Sequence, residues 1–203
     1  MLFSDHKVFS YINENFEPAW QSVRAVPTIN IDFGNGQKVR RTLHGNIVTY
    51  VCSPSGIVID SLPGLYQPAV YVEQLERFQK VAIKMGDPVD LDAFNNYHKH
   101  AKISKPLSLV AAKSKATSAM PDLKSADEVA NWKQLIEETI YSETVRRKQV
   151  HSMLASHGLV RPETLTKEMY REVLHCDLDD PYLGLGQALF ANYPFKDDDL
   201  TKQ

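Results

Sequence analysis

Residues 51–64 read VCSPSGIVIDSLPG, and the fold turns on how this stretch is read. Two apolar runs flank Ser53-Pro54-Ser55-Gly56, where Pro54 fixes φ and Gly56 permits a positive φ. The stretch is therefore a hairpin: IVTYVC over 47–52, a turn, then GIVIDSL over 56–62, closed by Pro63-Gly64. IVTYVC is apolar at alternating positions on both faces, as expected of a central strand covered on both sides. Downstream, Pro68 suits a helix N-terminus and Gly86 a helix C-terminus. Between them Tyr71, Leu75, Phe78, Ala82 and Met85 share one helical face. The unit is strand, turn, strand and a helix able to cover the sheet. It also poses a chemical question, because Cys52 ends the first strand as either a working thiol or an apolar filler.

Working outward, Ser4-Asp5 can cap a helix carrying Val8, Phe9, Ile12 and Phe16, and Pro18 ends it. FEPAWQSVRAVPTINIDF is rich in β-branched and aromatic residues, and Phe33-Gly34-Asn35-Gly36 turns it back into the alternating run QKVRRTL. After Gly86, DLDAFNNYHKH is a short Asp/Asn-rich helix candidate. Residues 101–124 hold five Lys and one Asp among Ser, Ala and two Pro, a linker or loosely packed arm whose lysines are solvated spacing. Ser125-x-x-Glu128 is a capping box, followed by the apolar stripe Val129, Trp132, Ile136 and Ile140. The stripe resumes at Val150 and Leu154 after the charged interruption SETVRRKQ. There, Glu143 and Arg147 are spaced for an i,i+4 surface pair; the alternative, which the resumed stripe favours, is that Glu143 and Arg146 lie inward and pair with Asp177 or Asp179. Pro162 starts another helix, and Asp180-Pro181 is expected to open a last one, PYLGLGQALFANY.

The 203 residues are 43% hydrophobic and 24% charged, with net charge −2, an ordinary globular composition. No basic excess recruits nucleic acid or an anionic membrane. No segment approaches the roughly 20 apolar residues of a membrane helix, and the first residues carry no signal-peptide core. The expectation is a soluble cytoplasmic protein with no nucleic-acid or membrane partner. Two cysteines, Cys52 and Cys176, form no CxxC and are too few for a paired-cysteine zinc site.

Residues 3–83 resemble the thioredoxin-like superfamily. FSDHKVFSYINENFEPAWQSV is similar to the end of its first long helix and the strand that follows. HGNIVTYVCSPSGIVIDSLPGLYQPAVYVEQLERF is similar to its closing hairpin and C-terminal helix. The resemblance implies a thioredoxin-like sheet, but argues against thioredoxin chemistry. The family's redox cysteines belong at the start of the first helix, where only Met1-Leu2 precede FSDHKV. Its cis-proline belongs at the start of the hairpin's first strand, where His44, Gly45, Asn46 and Ile47 stand instead.

The remaining candidates are few. A thiolate needs a helix N-terminus or a cation to lower its pKa, and nothing beside Cys52 in sequence supplies one. His44 and Asn46 make a candidate ligand loop if it faces the old active-site edge; the alternative is a turn using glycine freedom. Glu172 and His175 form Glu-x-x-His, which on a helix places both on one face; di-iron bundles need two such motifs and two further Glu. No phosphate loop, calcium loop or nucleophile elbow is present, so no cofactor is expected.

These readings combine into an α+β chain. A thioredoxin-like α/β domain spans 1–86, a linker or arm with a short helix 87–124, and a helical region 125–203. The expected role is a redox-inactive binding or assembly module, with a protein partner or self-association. The alternatives are a thiol-dependent oxidoreductase using Cys52 and a metal-binding protein using Glu172 and His175.

Overall fold

The computed structural model of the chain describes residues 2–42, 46–103 and 125–186. It is mixed α and β. Helix α1, His6–Asn15, is capped by Asp5, whose carboxylate accepts from the backbone N–H groups of Lys7 and Val8. Strands β1, Thr28–Asp32, and β2, Lys38–Thr42, pair antiparallel from Thr28↔Thr42 to Asp32↔Lys38. Strands β3, Val48–Cys52, and β4, Val58–Pro63, form the hairpin expected from VCSPSGIVIDSLPG, with a register irregularity between Val51 and Cys52. The two hairpins are separate two-stranded sheets.

Helix α2, Pro68–Met85, starts on proline and ends at Gly86, as its sequence signals require. Helix α3 spans Leu91–Ile103. Helix α4, Ala126–Tyr141, opens on the Ser125/Glu128 capping box with both reciprocal hydrogen bonds formed. A π-helical turn, Ser142–Arg146, links it to α5, Arg147–His157. Helix α6, Pro162–Glu168, runs into a second π-helical turn, Met169–Val173. Asp180 caps a turn over 181–184 through the N–H groups of Tyr182 and Gly184. The greater part of the helix expected beyond it lies outside the described residues. No described helix is long and apolar enough to cross a membrane.

Burial corrects the reading of the hairpin. IVTYVC is not the strand covered on both sides: β3 is largely half-buried, and every residue of β4 is buried. The reason is the layer that covers it. Val58 and Ile59 pack with Met85, Val89 and Phe94 and with Val150, Leu154, Leu165 and Met169 of the C-terminal helices. Val51 and Leu62 pack with Val8, Tyr66, Tyr71, Leu75 and Phe78. The short helix expected in DLDAFNNYHKH is present, and Val89 and Phe94 pack it into this core; residues 104–124 of the expected linker lie outside the described residues.

The charged interruption of the long helix is also explained. A π turn adds a residue to the helical repeat and rotates everything after it by about 100°. That rotation buries two consecutive arginines, Arg146 and Arg147. Arg146 does lie inward, but its partners are Glu138 at 2.7 Å and Ser142 at 3.0 Å, not Asp177 or Asp179. Asp179 is exposed and pairs with Lys167 at 2.8 Å.

Arg146 leaves no room beside the end of β4. A Cβ on Gly64 would stand 2.7 Å from Arg146 Nη1, and Gly64 holds φ at +86°. Gly64→Ala is therefore expected to cost about 1–3 kcal/mol. Urea unfolding checks this; an unchanged midpoint would contradict the packing.

Candidate functional site

Strand β4 carries an acidic residue in a fully buried run, and the site is built around it. Asp60 is 0% exposed. A buried carboxylate must be neutralised or paired. Helix α5 places Arg147 and His151 one turn apart on the face that meets β4. Helix α3 supplies Tyr97 and His98 from the other side, next to the buried Phe94.

The geometry is a two-pronged ion pair. Arg147 Nη2 donates to Asp60 Oδ2 at 2.8 Å, and Nη1 donates to Oδ1 and to the Ser61 carbonyl. The guanidinium lies over the Phe78 ring, 4.8 Å from its centroid. Asp60 also accepts from the Tyr97 hydroxyl at 2.6 Å and from the Ser61 backbone N–H at 2.8 Å. Both oxygens are thus satisfied, which a buried ion pair requires if it is not to destabilise the fold.

The hydrogen bonds assign the histidine tautomers. Arg147 Nη2 lies 3.1 Å from His151 Nε2. Arginine only donates, so Nε2 accepts and carries no proton. The His151 proton then sits on Nδ1 and is donated to His98 Nδ1, 2.9 Å away. That leaves the His98 proton on Nε2. Both rings are neutral.

Electrostatics agree. Burial alone raises the Asp60 carboxyl, but the Arg147 charge and hydrogen bonds outweigh it and hold the group far below the ordinary carboxylate range. Burial, with Arg147 and His98, pushes His151 down to about 3 against the pull of Asp60. His98 is lowered for the same leading reason. Burial and then Asp60 raise the Tyr97 phenol. Asp60 and Arg147 stay charged and His151 stays neutral through the physiological range. The cluster fixes charge in place; it does not shuttle protons near neutrality.

Of the candidates singled out in the sequence, Cys52, Glu172 and His175 take no part in it. Cys52 is half-buried at the end of β3 and unpaired, as is the buried Cys176. Burial, with a smaller effect of Glu163, pushes the Cys52 thiol up to about 11, opposite to an activated nucleophile. His44 lies outside the described residues; the Asn46 carbonyl accepts from the Tyr170 hydroxyl at 3.4 Å. The premise of a helical Glu172/His175 face fails, because the second π turn ends at Val173 and His175 adopts φ +52°. Glu172 pairs with its neighbour Arg171 at 2.9 Å, on the rim of an open groove of about 560 Å³. The buried cluster itself had one readable sign: Asp60 stands alone in the apolar run IVIDSL, which demands a cation that the strand does not contain.

Comparisons with protein-family models, with curated proteins and with solved structures each find no match.

Arg147→Met strands a buried carboxylate and is expected to cost about 3–5 kcal/mol, whereas joint replacement of Asp60 and Arg147 by apolar residues recovers most of that loss. Denaturant unfolding of the single and double variants measures both. The pH dependence follows from His151. Its folded pKa of about 3 lies below the ordinary 6.5, so the unfolded chain binds more protons between those values. Stability is complete above about pH 6.5 and falls by up to about 1.4 kcal/mol per pH unit below it. Asp60, with its depressed folded pKa, adds its loss only below about pH 4. Acid unfolding should therefore begin before the carboxylates protonate, and His151→Gln should shrink that early limb, leaving the part that His98 contributes.

Proposed function

We propose that the chain is a non-enzymatic protein-interaction module that docks through residues 16–33 and the β1–β2 hairpin. The observation that carries this reading is the exposure of every residue of β1, a strand with one apolar face. Ile29, Ile31 and Phe33 are two apart and share that face, with Val39 opposite Ile31. All three are exposed, Phe33 by 58%. No described element packs closely on the hairpin. A lone two-stranded hairpin is marginal in water, and each such side chain left in water forgoes about 1.5–3 kcal/mol of burial.

The preceding segment extends the surface. Trp20 is 90% exposed, and Val23 and Val26 are also exposed. Arg24 ties this segment to the C-terminal turn by donating to the carbonyls of Leu178 at 2.8 Å and Asp180 at 2.6 Å. The tryptophan is therefore displayed on an anchored loop, in the manner of an aromatic hot spot. The rest of residues 3–83, the stretch with the thioredoxin-like resemblance, acts in this reading as framework, and no redox step is assigned to it. The raised Cys52 thiol supports that assignment.

The test separates docking from thiol chemistry. Ile29→Lys with Ile31→Lys should change unfolding free energy by no more than about 0.5 kcal/mol. The same pair should abolish both photocrosslinking of the chain in a cell extract and the blue shift of Trp20 emission that binding produces. Cys52→Ser should preserve both signals. Loss of binding on Cys52→Ser with the fold intact, or full binding by the double lysine variant, would overturn the reading.

A further inference from the structure

Resting on the docking role of the hairpin, we infer that β1 pairs edge to edge with β1 of a second copy of this chain, about a two-fold axis at Asn30. The backbone register leads to this partner. Phe33 N–H donates to the Gln37 carbonyl. Hydrogen-bonded and non-hydrogen-bonded pairs alternate along an antiparallel ladder. Ile31↔Val39 and Ile29↔Arg41 are therefore the bonded pairs, and Thr28, Asn30 and Asp32 turn their N–H and C=O groups outward. Among the described residues no backbone hydrogen bond from another element reaches that edge.

The charges choose between the two edges. Strand β2 presents Lys38 and Arg40 at its outward positions, and charged side chains of this kind block strand addition. A β2–β2 pair about Arg40 would set Arg40 against Arg40. Strand β1, TINID, carries no lysine, arginine or proline. Its isologous pairing centred on Asn30 sets Asn30 against Asn30 and Thr28 against Asp32, so a hydroxyl donor meets a carboxylate. All outward backbone groups of the three residues are then satisfied, and Ile29 of one copy meets Ile31 of the other on the apolar face. The result is a four-stranded sheet, β2–β1–β1–β2, whose outer edges are the guarded ones. Two-fold closure stops growth at the dimer. A five-residue strand pair buries less than the roughly 1,200–2,000 Å² of a standard interface, so the dimer forms with concentration.

The full chain tests this. Sedimentation should show a monomer–dimer equilibrium with substantial dimer at concentrations on the order of 100 μM. Asn30→Asp, which opposes two anions on the axis while facing Arg40 favourably across the hairpin's own ladder, should weaken dimerisation at least tenfold. Asn30→Cys should give disulfide-linked dimer under mild oxidation, because Cα atoms of a bonded pair stand about 5.5 Å apart, within disulfide reach. Arg40→Cys on the guarded edge should not. A chain monomeric at all concentrations, a dimer indifferent to Asn30→Asp, linkage through Arg40→Cys, or species larger than a dimer would each overturn the proposal. If the pure chain stays monomeric while the apolar face still captures a different protein, self-pairing fails and the docking role stands.

Discussion

One buried ion pair organises this molecule. Asp60 sits in the middle of the most enclosed strand, and everything around it is arranged to make a carboxylate tolerable there. Arg147 supplies the charge, the Ser61 carbonyl takes a further guanidinium donor, and Phe78 covers the cation's face. Tyr97 fills the last strong acceptor site. An isolated charge in a medium of low dielectric is prohibitively costly, so these partners are conditions for burying β4. They also specify how α3 and α5 sit on the strand, because a forked guanidinium accepts few orientations.

The π turn before α5 makes that arrangement possible. The added residue shifts the face that a regular helix from Ser125 would present, and Arg146 and Arg147 both lie inward where it does so. With it, Arg146 locks against Glu138 and Ser142 while Arg147 reaches the strand. Gly64 is the complement of this crowding. The molecule therefore has two characters: a charge-locked core around β4, and a hairpin at 28–42 that core packing leaves uncovered.

Local signals in the chain were legible where one residue decides a conformation. The caps at Asp5 and Ser125, the helix starts at Pro68 and Pro162 and the stop at Gly86 all depend on nearest neighbours, and each stands where its chemistry places it. The hairpin 47–63 was legible for the same reason. Burial was not. IVTYVC reads as more apolar than VIDSLP, yet VIDSLP is the covered strand, because coverage depends on helices distant in sequence. The candidate site was half legible. Asp60 in an apolar run announces a missing partner, but two adjacent arginines after a broken stripe do not say which one turns inward. A π turn has no simple residue signature, so helical periodicity carried past it points at the wrong neighbours.

The long reach of Arg147 has a kinetic side. It meets Asp60 across 87 positions of chain, and Tyr97 meets the same carboxylate across 37. The carboxylate gains neither partner until α3, α5 and the hairpin have come together, so the lock closes late and all at once. High sequence separation slows that step, since loop closure precedes any reward. Once closed, no single element can leave without exposing a buried charge, and the core opens as a unit. The uncovered hairpin, bound to its surroundings by far less, can open and re-form without disturbing it.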